Sequence, residues 1–436
     1  MVGRALRLLD ARHASGAPLR VGLVGAGTFG TMILSQLSRL AGVEIAAVAD
    51  LDAARAAAAL ATAGAPPGTP VTDDALGMIA GQRLDVVVEA TGAPAAGVAH
   101  AAAAIEHGVH VVMVNVEADV LAGPALAARA RDEGVVYSLA YGDQPALICE
   151  LVDWARASGF EVVCAGKGTK YLPGYHEATP DTVWGHYGMT ARQVAAGGYN
   201  ARMFTSFLDG TKSAIEMAAV CNATGLAPQE DGLGFPPCGA ARLAQVLVPR
   251  ADGGVLRRSG TVEVVSSVER DGSPIADDLR WGVYVTFAAG SEFVTRCFRD
   301  YGLTTDASGR FASMHRPFHL IGLETSVSVL AAGLLGEPTG SPDAFRADVC
   351  AVAKRDLAAG EVLDGEGGFR VYGRLAPASR ALAARALPIG FAHGVRVLSP
   401  VRAGDLVTWD DVEASPGPAA ALRRESERLL ADAPAG

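Results

Sequence analysis

The chain has 436 residues, half of them hydrophobic and 19% charged, with 37 Lys and Arg against 47 Asp and Glu for a formal charge of −10. This length exceeds one ordinary domain, and the apolar content can fill more than one core, which excludes a mainly disordered chain. The acidic balance excludes a nucleic-acid partner, although a local basic pocket can still receive a small anion.

Residues 4–12 (RALRLLDAR) place Arg and Asp in every turn and leave no apolar run for a signal peptide. From about 19 to 165, short β-branched runs alternate with Ala-rich helical stretches: LRVGLV, VEIAAVA, LDVVVEA, VHVVMV, VVYSLA and FEVVCA. Runs that are apolar throughout indicate strands covered on both faces, so this part reads as repeated βαβ units with a parallel sheet. From about 166 to 340 the pattern changes to α+β. A strand is predicted over YNARMFTSFLDG, a helix over 211–225, strands over 262–268 and 282–288, and a helix near 323–335. GEPTGSPDAF (336–345) reads as a linker, followed by short strands and turns of a compact β module and a charged tail helix. The expected division is 1–150, 151–340, 345–415 and 416–436. The apolar stretches 94–106 and 326–335 are too short or too interrupted to span a bilayer, so no membrane partner is expected.

The strongest local motif is Gly25-Ala-Gly27-Thr28-Phe29-Gly30, which follows a strand, opens a helix and precedes Asp50 at the end of the second strand. That is the full context of a dinucleotide-binding turn: close approach of pyrophosphate to backbone, with amides of a helix N-terminus facing it. Asp50 is placed to accept from the ribose hydroxyls of NAD and, with Asp52, to repel a 2′-phosphate, while Arg55 pulls weakly the other way. NAD(H) is therefore the favoured cofactor, with NADP(H) left open. Thr91, Gly92 and Asn115 end two later strands, where cofactors lie in open α/β sheets. Glu117 and Asp119 serve equally well as acids of a helix start.

Only four lysines occur, Lys167, Lys170, Lys212 and Lys354, and three of them fall within 167–212. In a chain that uses Arg for surface charge, lysine suits a task needing a compact donor that can shed its proton. Lys167 follows a strand, and Lys212 starts a helix with Asp209 before it and Glu216 after it. Such ammonium groups can polarise a carbonyl or exchange an alcohol proton, with a carboxylate positioning them. Asp209 is expected to orient Lys167 or Lys212, whereas Lys354, in the C-terminal module, is expected to stay outside the chemistry. His315 and His319 flank Arg316 without a third ligand, which makes zinc a poor reading, and no metal is expected. The six cysteines, at 149, 164, 221, 238, 297 and 350, contain no Cys-x-x-Cys and fit a reducing cytosol.

The blocks VGLVGAGTFG, EATG, VMVNVEADV, SLAYGDQP, AGKG, FLDGTKSAIEMAAVCNATGL and HRPFHL together resemble the homoserine-dehydrogenase-like oxidoreductases along most of 1–335. More closely, they are similar to the deoxyxylulose-5-phosphate reductoisomerase-like branch. The segment AVAKRDLAAGEVL…GVRVLSPVRAGDLVTWDDV resembles that branch's SAF domain, a β-clip module.

The resemblance implies a homodimer with a Rossmann doubly wound parallel sheet, an α+β substrate and dimerisation domain, and the SAF module. It also implies an NAD(P)H-dependent reaction that, in the branch's known activity, isomerises and reduces deoxyxylulose 5-phosphate. It places the AGKG lysine, Lys167, and the DGxK lysine, Lys212, in the active cleft, and His315 and Arg316 near substrate. Lys170 and Glu216 join the expected substrate-binding set. The chain departs from the branch in carrying Asp50-Leu51-Asp52 where arginines for a 2′-phosphate are expected.

The function expected is hydride transfer to or from a small polyhydroxylated, anionic substrate. The alternatives are an NAD-dependent dehydrogenase of homoserine or another hydroxy acid or amino alcohol, and a non-catalytic nucleotide- or sugar-sensing protein.

Overall fold

The computed structural model describes residues 2–413 and 417–430. It divides into two compact units: Met1–Glu150 with His319–Ala344 and Gly417–Leu429, and Leu151–Phe318 with Phe345–Pro416 and Leu430–Gly436. The predicted 150/151 boundary coincides with the first division. The chain nevertheless returns twice to the first unit, and the segment expected to form a separate β module belongs to the second.

In the first unit, strands β1 (Leu19–Val24), β2 (Val43–Ala49), β3 (Val71–Thr72), β4 (Val86–Glu89), β5 (His110–Met113) and β6 (Tyr137–Leu139) form one sheet in the order β3-β2-β1-β4-β5-β6. Every pairing is parallel. Sequence order reverses between β1 and β4, which makes the ends of these strands the switch point where such sheets take their ligands. β4 is buried at all four positions, as a strand covered on both faces must be. The core joins Leu19, Leu23, Ile33, Leu34, Val86 and Val88 to Val329 and Ala332 from the returning segment. The tail helix Pro418–Arg428 also belongs here: Ser426 Oγ accepts from Ala125 N at 3.1 Å, and Arg129 forks onto Glu425. The two ends of the predicted tail, 414–416 and 431–436, lie outside the described residues.

The sixth predicted strand, FEVVCA, does not extend this sheet. It becomes β7 (Glu161–Thr169), at the centre of a second sheet with β8 (Thr261–Ser266), β9 (Val283–Ala288) and β10 (Phe311–Arg316), in the order β10-β9-β7-β8. β7 pairs parallel to β8 and antiparallel to β9. A short apolar run signals a buried strand but not its partners.

The strand predicted over YNARMFTSFLDG is instead a helix, Ala201–Leu208. Asn200 caps it by accepting from Arg202 N and Met203 N, and Phe204 packs among Trp184, Tyr187 and Tyr199. The cap and the aromatic packing outweigh the β-propensity of the aromatic residues.

The C-terminal segment adds β11 (Ala347–Ala353), β12 (Val362–Asp364), β13 (Val371–Pro377) and β14 (His393–Arg396), paired antiparallel as β11–β13 and β12–β14. It is bonded into the second unit. Gly373 N donates to Thr211 Oγ1 at 2.8 Å, and Asn222 Oδ1 accepts from the amides of Arg346 and Ala347.

Candidate active site

In the first unit, the turn after β1 has little freedom. Gly25 sits at φ +94°, and a Cβ there would lie 2.7 Å from the Ala90 carbonyl oxygen; a Cβ at Gly30 would lie 2.1 Å from that of Gly25. At Gly27 the side-chain position is open. A backbone packed on two sides and open on the third can approach a pyrophosphate, with the helix Thr28–Leu37 starting beside it. Thr28 and Gly27 are exposed and Phe29 is half-buried. The residues present therefore fit a dinucleotide.

Asp50 is buried and accepts from Ala26 N at 2.7 Å, so its carboxylate braces the glycine-rich turn. Arg55 forks onto it, with Nη2 at 2.5 Å from Oδ1 and Nε at 3.2 Å from Oδ2. Burial works against ionisation, but the Arg55 guanidinium and the amides of Asp52 and Ala26 outweigh it and hold the carboxyl below the usual range. The expected repulsion from Asp52 needs correction. Its Oδ1 is taken by the amides of Ala54 and Arg55, as N-cap of the helix Ala53–Ala63.

At the end of β4, buried Glu89 accepts from Thr91 Oγ1 at 2.5 Å and faces His100 Nδ1 at 3.2 Å. Asn115 donates to the Ala93 carbonyl and caps the helix Val116–Asp132, while Gly92 is exposed. Thr91 and Asn115 thus meet at 3.4 Å, tied to Glu89, a residue that sequence reasoning passed over. Of the two helix-start acids, Asp119 is fully buried against the Tyr137 hydroxyl, and burial pushes its pKa up to about 7.

In the second unit, Lys167 on β7 is 6% exposed and ion-paired with Glu216 of the helix Thr211–Thr224. Register places Lys167 opposite Val283, and Val283 opposite Arg316, so the three side chains share a row on one face of the sheet. His315 belongs to the opposite face of β10 and is exposed, so it is not brought to Lys167. Lys212 is half-buried at the start of the same helix as Glu216. Lys170 donates to the His186 carbonyl at 2.6 Å.

The expected role of Asp209 needs correction. Its carboxylate serves neither Lys167 nor Lys212; it pairs with Lys354 at 2.7 Å, and both side chains are buried. The reason is chain reversal: β11 runs Lys354 back beside the helix junction that holds Asp209. Burial, opposed by Lys354 and by Thr211, raises the pKa of Asp209.

Around this pair lies a chain of groups without a sequence signature. His176 contacts the Asp209 carbonyl through Nδ1 at 2.7 Å and the Tyr171 hydroxyl through Nε2 at 2.8 Å. Burial lowers the pKa of His176, so the neutral ring donates from Nδ1 and accepts the phenolic proton at Nε2. Tyr171 stacks on Phe235 at 3.9 Å, and burial pushes its pKa up to about 12. Glu263 accepts from the amides of Gly234, Phe235 and Val264, yet burial pushes its carboxyl up to about 7. Among the described residues, no group of three or more His, Cys, Asp or Glu could hold a metal ion. No helix there is long and apolar enough to cross a membrane.

Three family models match consecutive stretches of the chain. They are "Homoserine dehydrogenase, NAD binding domain" at 25–139, "Oxidoreductase DRL, catalytic domain" at 142–325, and "SAF domain" at 348–413. Fold, glycine-rich turn and matched domains together define the class: an NAD(P)-dependent oxidoreductase. Within that class the chain belongs to the homoserine-dehydrogenase-like oxidoreductases that carry the DRL catalytic domain and a C-terminal SAF domain.

A 75-residue stretch is 43% identical to inositol 2-dehydrogenase 2 of Paenarthrobacter aurescens, covering 17% of this chain and 21% of that protein. The match thus spans about a fifth of that relative's length. Among solved structures, the chain is similar to a probable dehydrogenase from Thermotoga maritima, with 14% identity, TM-score 0.38, and coverage of 73% of this chain and 90% of that one. It is also similar to an inositol dehydrogenase homolog complexed with NAD+ from Azotobacter vinelandii, with 22% identity, TM-score 0.30, and coverage of 38% and 44%.

Proposed function

We propose that the chain transfers hydride between NAD(H) and a small polyhydroxylated, anionic carbonyl or alcohol, acting as a homodimer in the cytosol, with reductoisomerase chemistry as one version of the reaction. The observation that carries this reading is the buried Lys167–Glu216 pair on the central strand of the unit matched by the catalytic-domain model. A buried ammonium held by a carboxylate keeps a fixed direction, and it can stabilise the oxygen on which negative charge develops or return a proton to it. Lys212 supplies a second cation from the helix that carries Glu216, and Arg316 lies in the row of Lys167. Both suit an anionic substrate.

The nicotinamide cofactor, when bound, supplies or accepts the hydride. Gly25, Gly27, Thr28, Phe29 and Gly30 would receive its pyrophosphate, Asp50 its adenosine ribose, and Thr91, Gly92 and Asn115 the other end. The deciding experiment is a screen of sugar phosphates, polyols and hydroxy acids by NADH fluorescence, followed by analysis of the product's carbon skeleton. A branched product assigns the reductoisomerase version, and an unbranched one a simple dehydrogenase of the homoserine type. No turnover with any of them, despite cofactor binding, favours the sensing alternative.

A further inference from the structure

Lys170 and Arg280 approach the same aromatic ring. Lys170 Nζ lies 5.8 Å, and Arg280 Cζ 5.4 Å, from the centroid of Tyr187. All three side chains are half-buried, so they are partly withdrawn from solvent and still reachable from it. Like charges brought together in a partly desolvated place repel each other unless something offsets them. Here the offset inside the protein is weak: Lys170 donates to the neutral His186 carbonyl, and the Tyr187 ring face attracts both cations.

The carboxylates nearby are occupied. Asp278 accepts from the backbone amide of Arg280 at 2.8 Å, and Asp209 is paired with Lys354. Neither Lys170 nor Arg280 forms an ion pair among the described residues. Consistent with this, burial and the Arg280 charge both lower the pKa of Lys170.

We propose that Lys170, Arg280 and the Tyr187 hydroxyl form a subsite for an oxyanion, the phosphate monoester or carboxylate of a small molecule. A guanidinium fork and an ammonium point charge are complementary donors for such a group, and an anion between them removes the repulsion that the apo protein carries. The Tyr175 ring, packed against His186 at 4.9 Å, lies on the same side as Arg280 and limits the space available. As a substrate-binding element this subsite rests on the reading of the second unit as the substrate domain, but anion binding itself does not.

The test is isothermal titration of the full chain, first with inorganic phosphate and then with malonate, for the wild type, Lys170→Gln, Arg280→Gln and the surface control Arg257→Gln. NADH titration accompanies each. Wild-type binding that weakens about tenfold or more in Lys170→Gln and Arg280→Gln, but not in Arg257→Gln, supports the subsite. Response to phosphate alone identifies a phosphate monoester as the ligand class, and response to malonate alone a carboxylate. Arg280→Lys, which keeps the charge, should retain most of the binding and guards against loss of fold in Arg280→Gln. Absence of wild-type binding to either anion, or equal binding by all variants, overturns the proposal. Failure to bind NADH with anion binding intact would instead count against the proposed function.

Discussion

Lys354 and Asp209 form an ion pair at 2.7 Å in which the side chains are 2% and 0% exposed. The ammonium also donates to the carbonyls of Ala178 at 2.6 Å and Gly368 at 2.8 Å, so all three of its hydrogens are used. This lysine therefore locks together three parts of the second unit: the loop at 178, the junction at 209 and the C-terminal strands.

Lys354→Met should accordingly be far from silent. It would leave a buried carboxylate and two carbonyls without their donor, a loss on the order of 3–5 kcal/mol. Equilibrium urea unfolding measures it, and the double variant Lys354→Met with Asp209→Leu should recover a large part. A single variant within about 0.5 kcal/mol of wild type would remove Lys354 from any structural role.

Lys167→Met and Lys212→Met should each lower the catalytic rate by about a hundredfold or more and leave NADH affinity nearly unchanged. Glu216→Gln should act in the same direction through Lys167. Lys167→Arg should rescue little, because the larger fork neither fits beside Glu216 nor gives up its proton. Steady-state kinetics alongside NADH titration separates these effects. Unchanged turnover would place the chemistry elsewhere.

Asp50 and Arg55 pull cofactor choice in opposite directions. NAD(H) should bind roughly tenfold more tightly than NADP(H), from an unfavourable charge contact of about 1–3 kcal/mol. The Arg55 side chain, 53% exposed, is free to swing toward a 2′-phosphate, so Arg55→Ala should widen the gap. Asp50→Ala should narrow it, and should also weaken both cofactors by releasing the Ala26 amide. Calorimetry with both nucleotides decides, and equal or tighter binding of NADP(H) by the wild type would sink the preference.

Asp119 should make stability fall as pH rises. Its pKa is about 3.9 in an unfolded chain and about 7 when buried against Tyr137, so between pH 4 and 7 the native state binds more protons than the unfolded one. The associated stability is present below pH 4 and is lost progressively up to pH 7. Asp119→Asn, which cannot ionise, should flatten that decline and raise the melting temperature at pH 8 more than at pH 5. Parallel thermal scans at the two pH values would expose the opposite trend.

Much of the first unit was legible because its signals are local. The apolar runs of β1, β2, β4 and β5, the Gly25–Gly30 spacing and Asp50 all act within about thirty residues, and a βαβ unit closes over that distance. Asp52 was misread for an equally local reason: a carboxylate one residue before a helix is used first by the helix's own amides.

The amino-acid sequence by itself determined the parallel sheet, the dinucleotide turn, the rarity of lysine and the presence of cations and carboxylates between 167 and 216. Only the tertiary structure decided their partners. Glu216 reaches Lys167 from a helix 49 positions away, Asp209 meets Lys354 across 145, and Arg280 shares the Tyr187 ring with Lys170. Charge pairing depends on which side chains are buried face to face, and burial is set by how strands and helices from distant segments pack. A spacing read along the chain shows which groups are available. The low dielectric of the packed interior then compels each buried charge to find an opposite one.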